Sequence, residues 1–487
     1  MEGLQMSDCC STNVNQVTFM RRDEIKARQL PNELNQLPVA VIGGGPVGMA
    51  AAAHLVVKGE PFILFEAGNE IAGNIANWSH VRLFSPWQYN IDKAAKSLLE
   101  ASGWTAPNDD VLPTGGELIE QYLRPVSQLV QIQPHIHYNA KVIAISRKGL
   151  SKVKTLGRDK LPFVIHVEVN GDRKTFEAKA IIDASGTWSQ PNPANSEGVW
   201  TSDELALSDQ ITYGIPDVTG KHKDQFKGKR VLVVGSGHSA INSLLDLERL
   251  KEEAPETEIV WIIRKANLRD VYGGQENDSL QERGTLGIRI EKMVENGNVE
   301  VYTSFNIDTF SKNENTISVE GHQYGKIARI DGIQEIISNT GSRPDLDFLR
   351  EVRTDIESSI ESVHSLAPLI DPNIHSCGTV RPHGEKELRQ PEHNLYIVGA
   401  KSYGRAPTSL MATGYEQVRS VVAALTGDWE AATKVELDLP ETGVCSTGNL
   451  LNSSNVVVGK TAECCGGAVL NEKRVSVSAP TNSSCCS

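Results

Sequence analysis

Short runs of contiguous apolar residues, each closed by a glycine-containing turn and followed by helical spacing, recur along this chain and predict its elements. Pro38-Val39-Ala40-Val41-Ile42 reads as a buried parallel strand, leads into GGGPVG at 43–48, and continues as an alanine-rich helix-forming stretch over 49–57. The grammar repeats at Arg230-Val231-Leu232-Val233-Val234, GSGHSA at 235–240, and a helically spaced stretch over 239–250. Further buried strands are predicted at 62–65, 180–183, 259–263, 336–338 and 394–398. Residues 141–145 and 162–169 read as strands of a meander. Residues 114–130 read as a core-packed helix opened by a Thr114-x-x-Glu117 cap, and 406–425 as a closing helix.

The glycines have distinct physical duties. Gly43 permits a tight turn, Gly45 lets backbone approach a pyrophosphate, and Gly48 lets helix and strand pack closely. Gly235, Gly237 and Ala240 hold the matching places in the second fingerprint. Each helix N-terminus offers unpaired N–H groups and the positive end of a dipole, which suits phosphates. The strand at 62–65 ends in Glu66, about 20 residues beyond the glycines, where a ribose-binding acid belongs. At the corresponding place after the second fingerprint stand Arg264 and Lys265. A guanidinium can fork onto a 2′-phosphate that a carboxylate would repel, so the second nucleotide is expected to be NADPH rather than NADH. The competing reading of Arg264 is a solvated strand-end cation.

The second fingerprint lies inside the chain, between similar strand-to-glycine patterns ending at Gly186 and Gly341. That order predicts an α/β fold of two Rossmann-like three-layer domains, one inserted into the other. The expected boundaries are an N-terminal arm at 1–35, a discontinuous first domain at 36–204 and 328–427, an inserted domain at 205–327, and a flexible, low-complexity, cysteine-containing tail at 428–487. The 487 residues are enough for two sizeable cores. Formal net charge is −13, from 48 basic and 61 acidic side chains, without long basic runs. This gives no support for nucleic-acid binding or for an anionic membrane surface. No apolar run approaches spanning length, and MEGLQMSDCCSTNVNQ lacks the apolar centre of a signal peptide. The expectation is a cytoplasmic protein acting on a small molecule, with oligomeric state left open.

These landmarks, in this order over 38–425, resemble the flavoproteins with two dinucleotide-binding domains: flavin-containing, Baeyer-Villiger and N-hydroxylating monooxygenases, and the thioredoxin-reductase-like group. The resemblance implies that GGGPVG with Glu66 holds FAD and that GSGHSA with Arg264 holds NADPH. ASGTWSQPNP, containing Gly186, and NTGSRPD, containing Gly341, look like the two hinges. NLYIVGAKSYGRAP, containing Gly399, resembles the third flavin segment. Trp78, Phe84, Trp87 and Tyr89 follow Glu66 in a loop-rich stretch, where they wall a flavin pocket or pack beneath a long loop. The implied activity is FAD-dependent oxidoreduction driven by NADPH, with monooxygenation first. Reduction of a disulfide, quinone or metalloid, or non-catalytic redox sensing, are the alternatives.

Two departures bear on that choice. The monooxygenase linker signature is only partly echoed, by Gly220 and His222, and Phe84-Ser85-Pro86 replaces the Thr-Asn pair of flavin-containing monooxygenases, which makes Ser85 a candidate catalytic position. No Cys-x-x-Cys occurs among the eight cysteines, so a thioredoxin-reductase relay lacks its thiols. Cys377, with His375 as base, is a candidate redox thiol or a structural cysteine. The adjacent pairs Cys464-Cys465 and Cys485-Cys486 are candidate ligands for a soft ion such as trivalent arsenic or copper(I), or plain exposed thiols. The tail motifs ETGVCS and CCG resemble those of related bacterial flavoproteins, and that resemblance implies an arsenical link.

Overall fold

The computed structural model describes residues 32–277, 281–374 and 383–437. Two five-stranded parallel sheets carry the fold. The first runs, edge to edge, Leu395–Ile397, Ala180–Asp183, Val39–Ile42, Phe62–Phe65, Ile136–His137. Every residue of Val39–Ile42 and Ala180–Asp183 is buried, as a parallel sheet covered on both faces requires, including the carboxylate of Asp183. Helix Pro46–Val57 lies on this sheet, and helix Met411–Leu425 packs against it.

The second sheet runs Glu300–Tyr302, Glu258–Ile262, Arg230–Val234, Glu335–Ser338, Ile211–Tyr213, again wholly parallel. Side chains of a strand alternate between faces, and here the alternation divides two cores. Val231, Val233, Ile259 and Trp261 pack with helix His238–Glu253 and with Ile290 and Met293 of helix Gln281–Glu295. Leu232, Val234, Val260 and Ile262 pack instead with Phe305, Ile307, Ile317 and Val319 of an antiparallel meander, Phe305–Asn313, Thr316–Gln323, Lys326–Ile333. A second meander, Ala140–Arg147, Phe163–Val169, Asp172–Ala178, accompanies the first sheet, so both halves are α/β and Rossmann-like. Among the described residues no helix is long and apolar enough to cross a membrane.

Pairing moves the expected boundaries inward on the first half. Residues 328–338, expected with that half, finish the meander of the second half and insert Glu335–Ser338 beside Arg230–Val234. Residues 194–204 also join the second half: Ala194 sits in its core, Ser196 exchanges hydrogen bonds with Ile307, and the Asp203 carboxylate accepts from Thr309 and Phe310. A strand-to-glycine pattern states what an element is and not which sheet accepts it. The expected tail also begins too early at 428. Asp428 pairs with Lys58 and caps helix Trp429–Thr433, whose Ala432 is buried beside helix Met411–Leu425.

The helix expected at 114–130 opens as predicted, with Thr114 and Glu117 forming a reciprocal capping box. Its middle turn, Ile119–Leu123, widens to a π-helix before the last turn, Arg124–Ser127. Pro125 has no N–H for the Gln121 carbonyl and would clash with it in a regular helix. The wider turn relieves the clash, and the indole N–H of Trp104 donates to that carbonyl at 2.9 Å.

One buried charged cluster ties distant segments of the first half. Glu392 accepts from Arg147 at 2.8 Å and from Arg158 at 2.9 Å, with all three side chains 5% exposed or less. Burial pushes the Glu392 carboxyl up, but hydrogen bonds from the two arginines outweigh it and hold it below the usual carboxylate range. A lowered carboxyl contributes stability above its unfolded value of about 4.3, and that contribution disappears as pH falls through the lower folded value. Glu392→Gln is expected to cost about 3–5 kcal/mol at neutral pH, because two guanidinium groups lose their buried counter-charge. Urea unfolding at a series of pH values checks this: the parent should lose more stability than the variant on acidification below about pH 4.

Candidate functional site

Both fingerprints build the same object at the carboxyl end of a parallel strand. After Val39–Ile42 the chain turns at Gly43, whose φ of +98° lies in the region that favours glycine. A Cβ on Gly43 would stand 2.8 Å from the Ala184 carbonyl oxygen, so this turn is pressed against the tip of the neighbouring strand. A Cβ on Gly48 would stand 1.9 Å from the Gly43 oxygen, which is what close packing of helix on strand demands. Gly45 is the opposite case, since a Cβ there meets nothing within 4 Å. It is also the N-cap of helix Pro46–Val57, and no side chain caps that helix.

The second turn repeats these terms. Gly235 has φ +127°, and a Cβ on it would lie 2.4 Å from the Asn339 oxygen at the tip of the adjacent strand. Gly237 is the uncapped N-cap of helix His238–Glu253 and opens onto free space, while Ala240 is fully buried. Elsewhere the helices Lys93–Ala101 and Gly115–Leu118 are capped by Asp92 and Thr114. Two glycine-opened helix N-termini at strand tips therefore offer backbone N–H groups and a positive dipole end to an anion such as a pyrophosphate.

The residues beside the cradles differ in charge. Glu66 lies against the first, its two oxygens accepting from the N–H groups of Gly44 and Gly68, each at 2.7 Å. Arg264 follows the buried strand Glu258–Ile262 beside the second. Its side chain is exposed, yet surrounding protein and then Arg405 push its guanidinium below the usual range, as in the wall of a cleft. Neither Arg264 nor Arg405 has a side-chain hydrogen bond or ion pair among the described residues. Both cradles accordingly fit dinucleotides, the first with an acid beside it and the second with a cation.

Comparison with known proteins agrees. The model of the pyridine nucleotide-disulphide oxidoreductase family matches residues 40–368. The chain belongs to that family. A ferredoxin–NADP reductase of Enterococcus faecalis is 22% identical over 388 residues, covering 78% of this chain and 92% of its own length. The indole-3-pyruvate monooxygenase YUCCA6 of Arabidopsis thaliana is 26% identical over 211 residues, 42% of this chain and 44% of the relative. Among solved structures, the bacillithiol disulfide reductase of Bacillus cereus superposes with TM-score 0.59 at 16% identity, covering 80% of this chain and 98% of the other. The cadaverine monooxygenase DfoA of Erwinia amylovora, bound to FAD, gives 0.59 at 12% identity, covering 83% and 98%.

Within this pyridine nucleotide-disulphide oxidoreductase fold, the remaining candidate residues separate clearly. Gly186, Gly341 and Gly399 all have positive φ, at +71°, +85° and +64°, and the Gly399 turn presses on Val47 in the first turn of helix Pro46–Val57. Ser85 is buried and donates to the Asn90 side chain at 2.9 Å, while Asn90 donates back to the Ser85 carbonyl, so the pair closes its own loop. Trp87 is core. Trp78 meets Trp188 and Phe84 meets His238, so the aromatic loop touches both the first hinge and the mouth of the second cradle. Cys377, His375 and the pairs Cys464-Cys465 and Cys485-Cys486 lie outside the described residues, and no metal-binding cluster occurs among those described. Sequence reasoning passed over Asp183, Lys401 and Arg405. Lys401, a charge next to the unbroken run Leu395 to Ala400, was the visible signal.

The glycine geometry predicts unequal outcomes for three similar substitutions. Gly48→Ala drives a methyl into the Gly43 carbonyl and should cost about 1–3 kcal/mol or more in urea unfolding of the ligand-free chain. Gly45→Ala and Gly237→Ala add a methyl to open space at φ −80° and −85°. They should change stability by about 1 kcal/mol or less.

Proposed function

We propose that this chain is an FAD-dependent oxidoreductase reduced by NADPH, and that it oxygenates a small molecule. The observation that carries the reading is the pair of open, uncapped cradles with Glu66 at one and Arg264 at the other. Gly43, Gly45 and Gly48 would hold the FAD pyrophosphate, Glu66 its adenosine ribose, and Gly186, Gly341 and Gly399 the turns around the remainder. Gly235, Gly237 and Ala240 would hold the NADPH pyrophosphate, and Arg264 its 2′-phosphate. Bound together, these groups supply hydride transfer and, with oxygen, the means to oxygenate a substrate. The chain's own contribution is position: Phe84, between the His238 ring and the Arg283 guanidinium, ties the aromatic loop to the second half, and Trp78 against Trp188 ties it to the first hinge.

Oxygenation is favoured over a thiol relay because the sequence offers no Cys-x-x-Cys, and monooxygenases stand among the curated relatives. Electron transfer to a reducible acceptor is the second reading, favoured by the ferredoxin–NADP reductase that this chain matches over 92% of that relative's length. We place the protein in the cytoplasm and assign the nested boundaries 194–338 to the NADPH-binding half.

NADPH consumption in air and under nitrogen separates the readings. Oxygenation predicts consumption that needs oxygen and rises with the right substrate, with little hydrogen peroxide released. Sustained turnover under nitrogen with a quinone or disulfide acceptor would support reduction instead. Arg264→Ala should raise KM for NADPH about 10- to 100-fold, as expected for loss of charge-assisted hydrogen bonds, and leave kcat and the KM for NADH near their parent values. Steady-state kinetics with both nucleotides checks it.

A further inference from the structure

A fully buried charged cluster sits directly behind the first cradle. Lys401 Nζ lies 2.6 Å from Asp183 Oδ2, with neither side chain accessible to solvent. That oxygen receives no well-angled hydrogen bond, so charge rather than angle holds the pair. Lys401 also donates to Ser185 Oγ at 3.0 Å and points at the Phe348 ring, 4.2 Å from its centroid, so its ammonium is enclosed by a carboxylate, a hydroxyl and a π face. Ser185 completes the cluster, donating to Asp183 Oδ1 from its hydroxyl at 2.7 Å and from its backbone N–H at 3.1 Å.

The position of this cluster carries the inference. Asp183 ends the strand beside Val39–Ile42, and the backbone of Ala184 and Ser185 is what Gly43 presses against. Ser185 stands where the chain leaves for the second sheet, Phe348 where it has returned, and Lys401 two residues after the Gly399 turn. A buried ion pair is a poor source of stability, because desolvation offsets most of its attraction and apolar residues of the same volume would pack as well. What it does supply is a fixed geometry between the turns that leave two paired strands, Ala180–Asp183 and Leu395–Ile397, and the return segment at Phe348.

We infer that Lys401 is a positioning residue for the flavin, acting through Asp183 and Ser185 to hold the wall against which the first glycine turn is set. The inference rests on the FAD reading of that cradle. Lys401→Met removes the cation, and Asp183→Asn with Lys401→Met removes both charges, so the double variant has no unpaired buried charge to weaken its fold. Three measurements on the full chain test it: apo-protein melting, FAD dissociation constant by flavin fluorescence, and visible circular dichroism of the bound flavin. The double variant is expected to melt closer to the parent than the single one, and both should bind FAD at least tenfold more weakly with an altered flavin dichroism band. FAD binding by the double variant within twofold of the parent, with an unchanged band, would overturn the inference while leaving the FAD reading intact. A parent chain that binds no FAD overturns that reading and this inference together.

Discussion

The close approach of Gly48 to the Gly43 carbonyl sets the geometry on which the first half depends. With no Cβ between them, helix Pro46–Val57 lies tightly on strand Val39–Ile42, and its uncapped N-terminus projects at the carboxyl end of the sheet. The opening at Gly45 then follows from the same turn. The second half reaches the same end by a slightly different route: Gly235 fits under the Asn339 carbonyl, and a buried alanine occupies the third position. In both halves the turn is braced by the tip of an adjacent parallel strand, so each cradle is a property of the sheet and not of the loop alone.

Much of this was legible because its causes are local. Unbroken apolar runs such as 39–42 and 231–234 require burial on both faces, and a glycine turn followed by helical spacing states where the helix begins. The charges of Glu66 and Arg264 could be placed by counting from the glycines. The capping box at Thr114 was equally local, and it forms. What sequence could not supply was the choice of partner. Glu335–Ser338 carries the same pattern as Ala180–Asp183, yet one pairs with Arg230–Val234 and the other with Val39–Ile42, a choice settled by packing over long distances. The π-turn before Pro125 was foreseeable from proline's missing N–H, but not the indole of Trp104 that takes the freed carbonyl.

The charged clusters were the least legible features, and they do a related job in two places. Glu392 joins Arg147 and Arg158 of the first half's meander to the segment before strand Leu395–Ile397, and Lys401 joins the exit strand, the return segment and the Gly399 turn. Apolar contacts drive these segments together, and backbone pairing sets the register of Leu395–Ile397 against Ala180–Asp183. A buried ion pair adds a penalty for any arrangement that leaves one of its charges without the other. Glycines thus open the cradles, and buried charges link the segments around them.

The most direct test of the central claim is the flavin content of the purified chain, measured from its visible spectrum after reconstitution with FAD. The account predicts a yellow protein with close to one FAD per chain. A colourless protein that takes up no FAD would contradict it, because the open cradle beside Glu66 would then hold something else.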